Sequence, residues 1–353
     1  MGTESIEASF LSIFALITFF IFLIINKYSS RIKNGALLDT IFNKPQAFHE
    51  TPVSRSGGAA IFISFLIFLT IYYLLYSKIL YEYLFISLSM FLIGFLDDLK
   101  IYIQPLKRLI LMVSFLIVII YFFQIIIEHI EIPFLKFLLK NEIFSTFFVL
   151  ICFLFIINGA NLIDGFNGLL TINLIIINVI LTYINLNNSN LEFSFVLIAQ
   201  IIILLTFLLF NFPNAKIFLG DSGAYLAGAL VALNTIISNN LNPNITSFFF
   251  CTLLFYLFFE VVFSFIRKVI QNKSPIHPDN MHLHMLTYYK IVPKFGKNSS
   301  NFINSIIINI IYLLLILPGF YFQANPTLSR LWFFALLLIY TIIYSRLYRL
   351  TKN

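Results

Sequence analysis

Charge is what this chain has least of. Only 10% of its 353 residues are Asp, Glu, Lys or Arg, while 60% are hydrophobic. A water-soluble domain cannot hide that much apolar surface, so the composition excludes the soluble class and leaves a polytopic membrane protein. Cysteine is scarce too. Cys152 and Cys251 both lie inside apolar runs, which argues against a disulfide framework and against a CxxC metal site. No Lys or Arg precedes the first apolar run, where Glu4 and Glu7 stand instead. That run therefore lacks the basic n-region of a cleaved signal peptide and reads as a retained helix. The net charge of +7 comes with no DNA or RNA motif, so it reflects cytoplasmic loops and no nucleic acid partner is expected. No internal repeat of the kind that marks many secondary transporters is visible.

Long apolar runs stand in place of charge. A helix needs about 20 mostly apolar residues to cross the hydrocarbon core. Eleven runs are candidates, roughly over 10–25, 57–75, 80–96, 109–127, 143–157, 168–185, 193–211, 223–237, 247–266, 302–322 and 329–345, of which the third, fifth and eighth are short. The expected fold is all-α: a polytopic integral membrane protein with about 11 transmembrane helices, or ten, forming a single domain over 1–353. Its cytoplasmic loops are about 26–56, 97–108, 158–167, 212–222 and 267–301. With the N-terminus outside and the C-terminus cytoplasmic, eighteen Lys and Arg residues fall inside. Four, Lys78, Lys136, Lys140 and Arg330, fall outside, in keeping with the positive-inside rule.

The same threading gathers all six aspartates, Asp39, Asp97, Asp98, Asp164, Asp221 and Asp279, on the cytoplasmic face, while the outer acids are all glutamates. Residues 94–108 read GFLDDLKIYIQPLKR. Adjacent carboxylates repel unless a cation or donor balances them, and Mg2+ bound through carboxylates and substrate phosphates would do that. A solvated helix end is the plain alternative. Residues 158–169 read NGANLIDGFNGL. On a helix Asn158, Asn161 and Asp164 share a face and Asn167 drifts off it. Gly165 and Gly168 suggest a helix break with free backbone N–H groups. Amides beside a carboxylate suit a nucleotide base and a metal, against the alternative of a polar turn.

Residues 216–228 read KIFLGDSGAYLAG. Gly220 and Gly223 allow close backbone approach, and the amides after Asp221 could open a helix whose N-terminus attracts phosphate. Residues 274–285 read SPIHPDNMHLHM, which puts His277, His282, His284 and Asp279 in the most basic loop. A surface loop, a zinc cluster and a phosphate clamp aided by Arg267 or Lys268 all stay open for it. Residues 49–58 read HETPVSRSGG, where Arg55 and a glycine pair could close over a substrate. Glu260 is the one acid well inside an apolar run, about 9 Å from its inner end, and is either functional or a tie to a neighbouring helix.

These motifs, in this order and on one face, resemble the polyprenyl-phosphate N-acetylhexosamine-1-phosphate transferase family (glycosyltransferase 4) from about Asp39 to beyond Asp279. The SP and PD pairs before the histidines resemble its O-antigen-initiating branch more than its peptidoglycan branch. The resemblance implies that a polyprenyl phosphate, such as undecaprenyl phosphate, attacks the β-phosphate of a UDP-N-acetylhexosamine and releases UMP. It implies Mg2+, or Mn2+ in its place, and a multi-pass protein of the bacterial inner membrane with its site facing the cytoplasm, a homodimer being left open.

Carried over by motif, Asp221 matches the metal-binding aspartate and Asn161 an asparagine sharing that metal. Asp97 and Asp98 match the paired aspartates and Lys107 a lysine at the diphosphate, while Asp164 reads from its own motif as a donor-site or metal-shell residue. Phe218 and Asn167 match positions that hold the uracil, Asn158 and Arg55 stand as further substrate contacts, and His282 and His284 match a histidine motif near the pyrophosphate. Two positions depart from the family: Met285 stands where a further histidine is common, and Glu260 where aspartate is usual. A transporter would instead place its acids near the bilayer midplane, and a non-catalytic scaffold would have no use for three polar motifs on one face. Within the family, a phospho-MurNAc-pentapeptide transferase is the alternative.

Overall fold

The computed structural model describes residues 3–29, 35–40, 52–274 and 279–352. His49 and His277 lie outside the described residues. The helices and strands, in chain order, are α1 (Thr3–Tyr28), β1 (Leu38–Asp39), β2 (Val53–Ser54), α2 (Gly57–Tyr76), α3 (Tyr81–Asp98), α4 (Pro105–Phe122), α5 (Pro133–Leu138), α6 (Glu142–Ile163), α7 (Leu169–Asn187), α8 (Leu191–Asn211), α9 (Gly220–Leu241), α10 (Ser247–Leu253), α11 (Phe255–Ile270), α12 (Leu283–Phe295), α13 (Lys297–Tyr321) and α14 (Pro326–Lys352). Apart from the short antiparallel β1–β2 ribbon, the described fold is all-α.

Each of the eleven apolar runs is helical over most of its length, the fourth only as far as Phe122, where α4 ends. Among the described residues, nine helices are long and apolar enough to cross a membrane, and ten if α10 and α11, bent by 73°, form one broken span. The run at 80–96 forms α3, which carries Glu82, Asp97 and Asp98 within 18 residues and so falls outside that count. At the α10–α11 bend the Tyr312 hydroxyl of α13 donates to the Leu253 carbonyl. That bond satisfies a backbone group which lipid cannot.

The axis of the bundle is α9. Its spanning window is 83% buried, against 17% for α1 and 22% for α4 and α14 at the rim. Gly223, Ala224, Ala227, Gly228, Ala229 and Ala232 keep α9 thin, so α2, α3, α6 and α7 pack directly on it. In lipid, where helices gain nothing by hiding apolar surface from one another, such close approach is a main source of association. A polar knot adds to it. Asn234 of α9 accepts from the Tyr83 hydroxyl at 2.7 Å and donates to Gln200 at 2.7 Å and Asn178 at 3.0 Å, joining α3, α8 and α7. The C-terminal ends of α3, α6 and α8 meet the N-terminal ends of α2, α4, α7 and α9 at one end of the bundle.

Candidate active site

The meeting point of those ends is stitched by backbone. Phe218 N–H donates to the Ser54 carbonyl at 2.8 Å, Gly57 N–H to Phe218 at 2.9 Å and Gly58 N–H to Leu219 at 2.8 Å. The segment leading into α9 is thereby fastened to the one leading into α2, which brings Arg55 and Asp221 to one place. Arg55 donates to Asp39 from Nη2 at 2.6 Å and from Nε at 3.0 Å, and its Nη1 lies 4.0 Å from Asp98 Oδ1. Burial works against the Arg55 charge, but Asp39, Asp221 and Asp98 outweigh it and raise its pKa.

Asp98 is buried beneath the first turn of α9. Its Oδ1 accepts from Asp221 N–H at 3.0 Å, and its Oδ2 accepts from Ser222 N–H at 3.0 Å and the Ser222 hydroxyl at 2.5 Å. Asp97, one residue earlier and about 100° round the helix, faces Arg108 instead at 3.2 Å. Arg108 also donates to Asp221 Oδ2 at 2.6 Å, while Asn161 Nδ2 donates to Asp221 Oδ1 at 3.3 Å. Asp164 follows the last residue of α6. Burial first and the Asp221 charge second push its carboxyl up to about 8, with Arg55 opposing. A group of carboxylates so close together suits a cation.

A second cluster lies where α11 meets α12. Glu260 Oε2 pairs with His282 Nδ1 at 3.0 Å, and its Oε1 accepts from Leu283 N–H at 3.1 Å. His284 Nδ1 lies 3.3 Å from the Tyr256 hydroxyl. The two imidazoles are buried and nearly parallel, 5.5 Å apart, and their Nε2 atoms have no hydrogen-bond partner among the described residues. Burial pushes the His284 imidazole down to about 3, against the opposing Glu260 charge, so this ring is neutral. Asp279 is fastened to Arg267, and that bond outweighs burial to hold its carboxyl below the usual range. Phe166 packs edge-on to His284 with centroids 5.7 Å apart, and it lies two residues beyond Asp164, so it joins the two clusters.

The structure thus assembles Asp97, Asp98, Asn161, Asp164, Asp221 and Arg55, and connects them to His282 and His284. Among the bonds described, the other expected residues make none to the aspartate cluster. Lys107 is exposed and makes no ion pair among the described residues, while Arg108, its neighbour, points inward. Asn158 Nδ2 turns back to the Leu154 carbonyl of its own helix. Asn167 ties loops together, donating to Pro213 and accepting no part in the aspartate cluster among the bonds described. Phe218 is partly buried in the segment before α9, and Met285 is buried in the core. Sequence reasoning missed Arg108 and Ser222. The only available signal was Arg108's place beside Lys107 and Ser222's beside Asp221.

The family profile for glycosyl transferase family 4 matches residues 80–239, which run from α3 through nearly all of α9. An undecaprenyl-phosphate alpha-N-acetylglucosaminyl 1-phosphate transferase from Thermotoga maritima is 30% identical over 262 residues, covering 71% of this chain and 77% of that protein. The chain belongs to glycosyl transferase family 4. Other relatives in the family are phospho-N-acetylmuramoyl-pentapeptide-transferases. The one from Dictyoglomus turgidum is 29% identical over 239 residues, 64% of this chain and 73% of that protein. The one from Clostridium perfringens is 31% identical over 153 residues, 41% of this chain and 48% of that protein. In this family member the matched region contains Asp97, Asp98, Asn161, Asp164 and Asp221 but ends before the histidine cluster.

Proposed function

We propose that this chain transfers N-acetylglucosamine 1-phosphate from a UDP-sugar to a polyprenyl phosphate such as undecaprenyl phosphate. UMP is released and a polyprenyl-pyrophosphoryl sugar remains in the membrane. The observation that carries the reading is the meeting of Asp97, Asp164, Asp221 and Asn161 with Arg55 and Arg108 at one end of a membrane bundle. The name of the T. maritima relative supports the sugar. The basic inner loops support a cytoplasmic site in a bacterial inner membrane.

The donor set fits a divalent metal. Asp97, Asp164 and Asp221 offer hard oxygens, and turning the Asn161 amide to present its oxygen costs one 3.3 Å contact. Among the described residues no three His, Cys, Asp or Glu are grouped so as to hold a metal ion by themselves. Mg2+ commonly keeps such an open arrangement, retaining water and substrate phosphates in its shell. A bound Mg2+, or Mn2+, would offset the negative charge of the diphosphate.

The side chains supply the rest. Asp221 and Asn161 would hold the metal. Arg55 and Arg108 bind phosphate oxygens, with Lys107 at the opening. Phe218, Asn158 and Asn167 frame the nucleotide, and His282 and His284 face the pyrophosphate. The acceptor phosphate has a second pKa of about 6 and is mostly dianionic at pH 7, so it needs little deprotonation. One of its oxygens bonds to the β-phosphorus as the bond from that phosphorus to UMP breaks. The sugar C1–O bond stays intact, so the anomeric configuration is retained.

A phospho-MurNAc-pentapeptide transferase is the second reading, favoured by the Dictyoglomus and Clostridium relatives. The test supplies purified protein with undecaprenyl phosphate and a panel of UDP-GlcNAc, other UDP-N-acetylhexosamines and UDP-MurNAc-pentapeptide, scoring UMP release and exchange of radiolabelled UMP. Turnover with UDP-GlcNAc is expected. Turnover with the pentapeptide donor alone selects the second reading, and no exchange with any donor refutes the transferase.

A further inference from the structure

Asp98 stands apart from the other acids of the site. It is 1% exposed, and three donors, all from the first turn of α9, occupy its two oxygens. Arg55 lies on the remaining side of Oδ1 at 4.0 Å. No edge of the carboxylate is open to a phosphate. Its neighbour Asp97 is the one of the pair that is partly exposed and faces Arg108.

The backbone around Asp98 is shaped to hold this contact. Gly220 has φ +75°, a conformation that strains other residues, and a Cβ there would lie 2.6–2.8 Å from the Asp98 carboxyl group. Gly94 lies one turn before Asp98 on the same face of α3. A Cβ at Gly94 would meet Ser222 N and Cα at 2.4 Å. The end of α3 is therefore pressed onto the first turn of α9, with the carboxylate inserted where free amides and the helix dipole attract a negative charge. Asp221 projects from that turn toward Asn161 and Arg108.

We propose that Asp98 is a positioning residue that acts through Asp221: it staples the first turn of α9 to α3 and so sets where the Asp221 carboxylate stands. It does not take a proton from the acceptor. The inference rests on the reading above that Asp221 holds the divalent cation. Partners that orient a metal ligand from behind typically cost about 10–100-fold in metal affinity when removed.

The experiment measures Mn2+ binding to the purified full-length protein by electron paramagnetic resonance, without either substrate, alongside turnover against Mn2+ concentration. Asp98→Asn replaces an acceptor with a donor facing Asp221 N–H or Ser222 N–H, and should weaken Mn2+ binding at least about tenfold. Ser222→Ala removes one of the three donors and is the milder variant should Asp98→Asn not fold. It should weaken binding about three- to fivefold and have its turnover restored by raised Mn2+. The double variant should be no worse than Asp98→Asn alone, since both act through one contact. Unchanged Mn2+ binding in Asp98→Asn or in Ser222→Ala, with turnover lost at every Mn2+ concentration, overturns the proposal in favour of direct chemistry by Asp98. Unchanged Mn2+ binding in Asp221→Asn overturns it together with the metal assignment beneath it. Loss in Asp221→Asn without loss in Asp98→Asn overturns the staple alone.

Discussion

Removing the Arg108 side chain should tighten divalent-cation binding to the protein without substrates. Arg108 Nη1 lies 2.6 Å from Asp221 Oδ2 and 3.2 Å from Asp97 Oδ2, and all three side chains are between 18% and 26% exposed. The guanidinium therefore stands where positive charge is wanted, and an entering cation competes with it. A unit-charge pair at 4 Å is worth about 4 kcal/mol at an effective dielectric of about 20, and desolvation and partial exposure reduce the net to about 2 kcal/mol. Relieving that competition corresponds to about 30-fold tighter binding. Mn2+ titration of Arg108→Ala, followed by paramagnetic resonance, reads this directly. Lys100→Ala removes the same formal charge from an exposed turn just beyond α3 and should change affinity less than about twofold. Turnover of Arg108→Ala should nevertheless fall by about 100-fold, because the same guanidinium is needed on phosphate once the cation is bound. Equal Mn2+ affinity in Arg108→Ala and the parent protein refutes the reasoning, since the guanidinium and the cation would then not share the Asp221 carboxylate.

Gly94→Ala should cost about 1–3 kcal/mol or more in thermal unfolding and abolish turnover, because its Cβ meets α9 backbone at 2.4 Å rather than a side chain that can swing away. Asn234→Ala unties Tyr83, Gln200 and Asn178 and should cost about 1–2 kcal/mol in detergent unfolding, with substrate KM values unchanged. Asp279→Asn should be about 1–2 kcal/mol less stable than the parent at pH 7, through loss of the Arg267 pair. Because the folded carboxyl titrates below its unfolded value, that stability is present above pH about 4 and is lost as pH falls through the lower folded pKa. The difference between Asp279→Asn and parent in melting temperature should therefore shrink below pH about 4, and a constant difference down to pH 3 contradicts the pairing.

Much of the architecture was legible without coordinates. Lipid contact demands long apolar helices whose backbone bonds close internally, so each of the eleven runs could be located from composition alone, and each is helical over most of its length. The break between α10 and α11 was not legible, since 247–270 contains neither proline nor glycine and the bend is met by a Tyr312 hydroxyl from a distant helix. The short α12 inside the basic loop was also hidden, because the helices it packs against, α13 and α14, come later in the chain.

The sequence by itself determined that this is an all-α membrane bundle and that its aspartates belong at helix ends, where charge can avoid lipid. Motif order was enough to name the family. Only the tertiary structure decided the division of labour among those residues. Consecutive side chains on a helix point about 100° apart, so a DD or KR pair in sequence does not say which member faces inward. Packing against α9 buries Asp98 beneath its first turn, leaves Asp97 open to Arg108 and turns Lys107 outward. Likewise, Glu260 was conspicuous as a charge inside an apolar run, but only the fold showed that it meets His282 and the Leu283 N–H, 22 and 23 residues away.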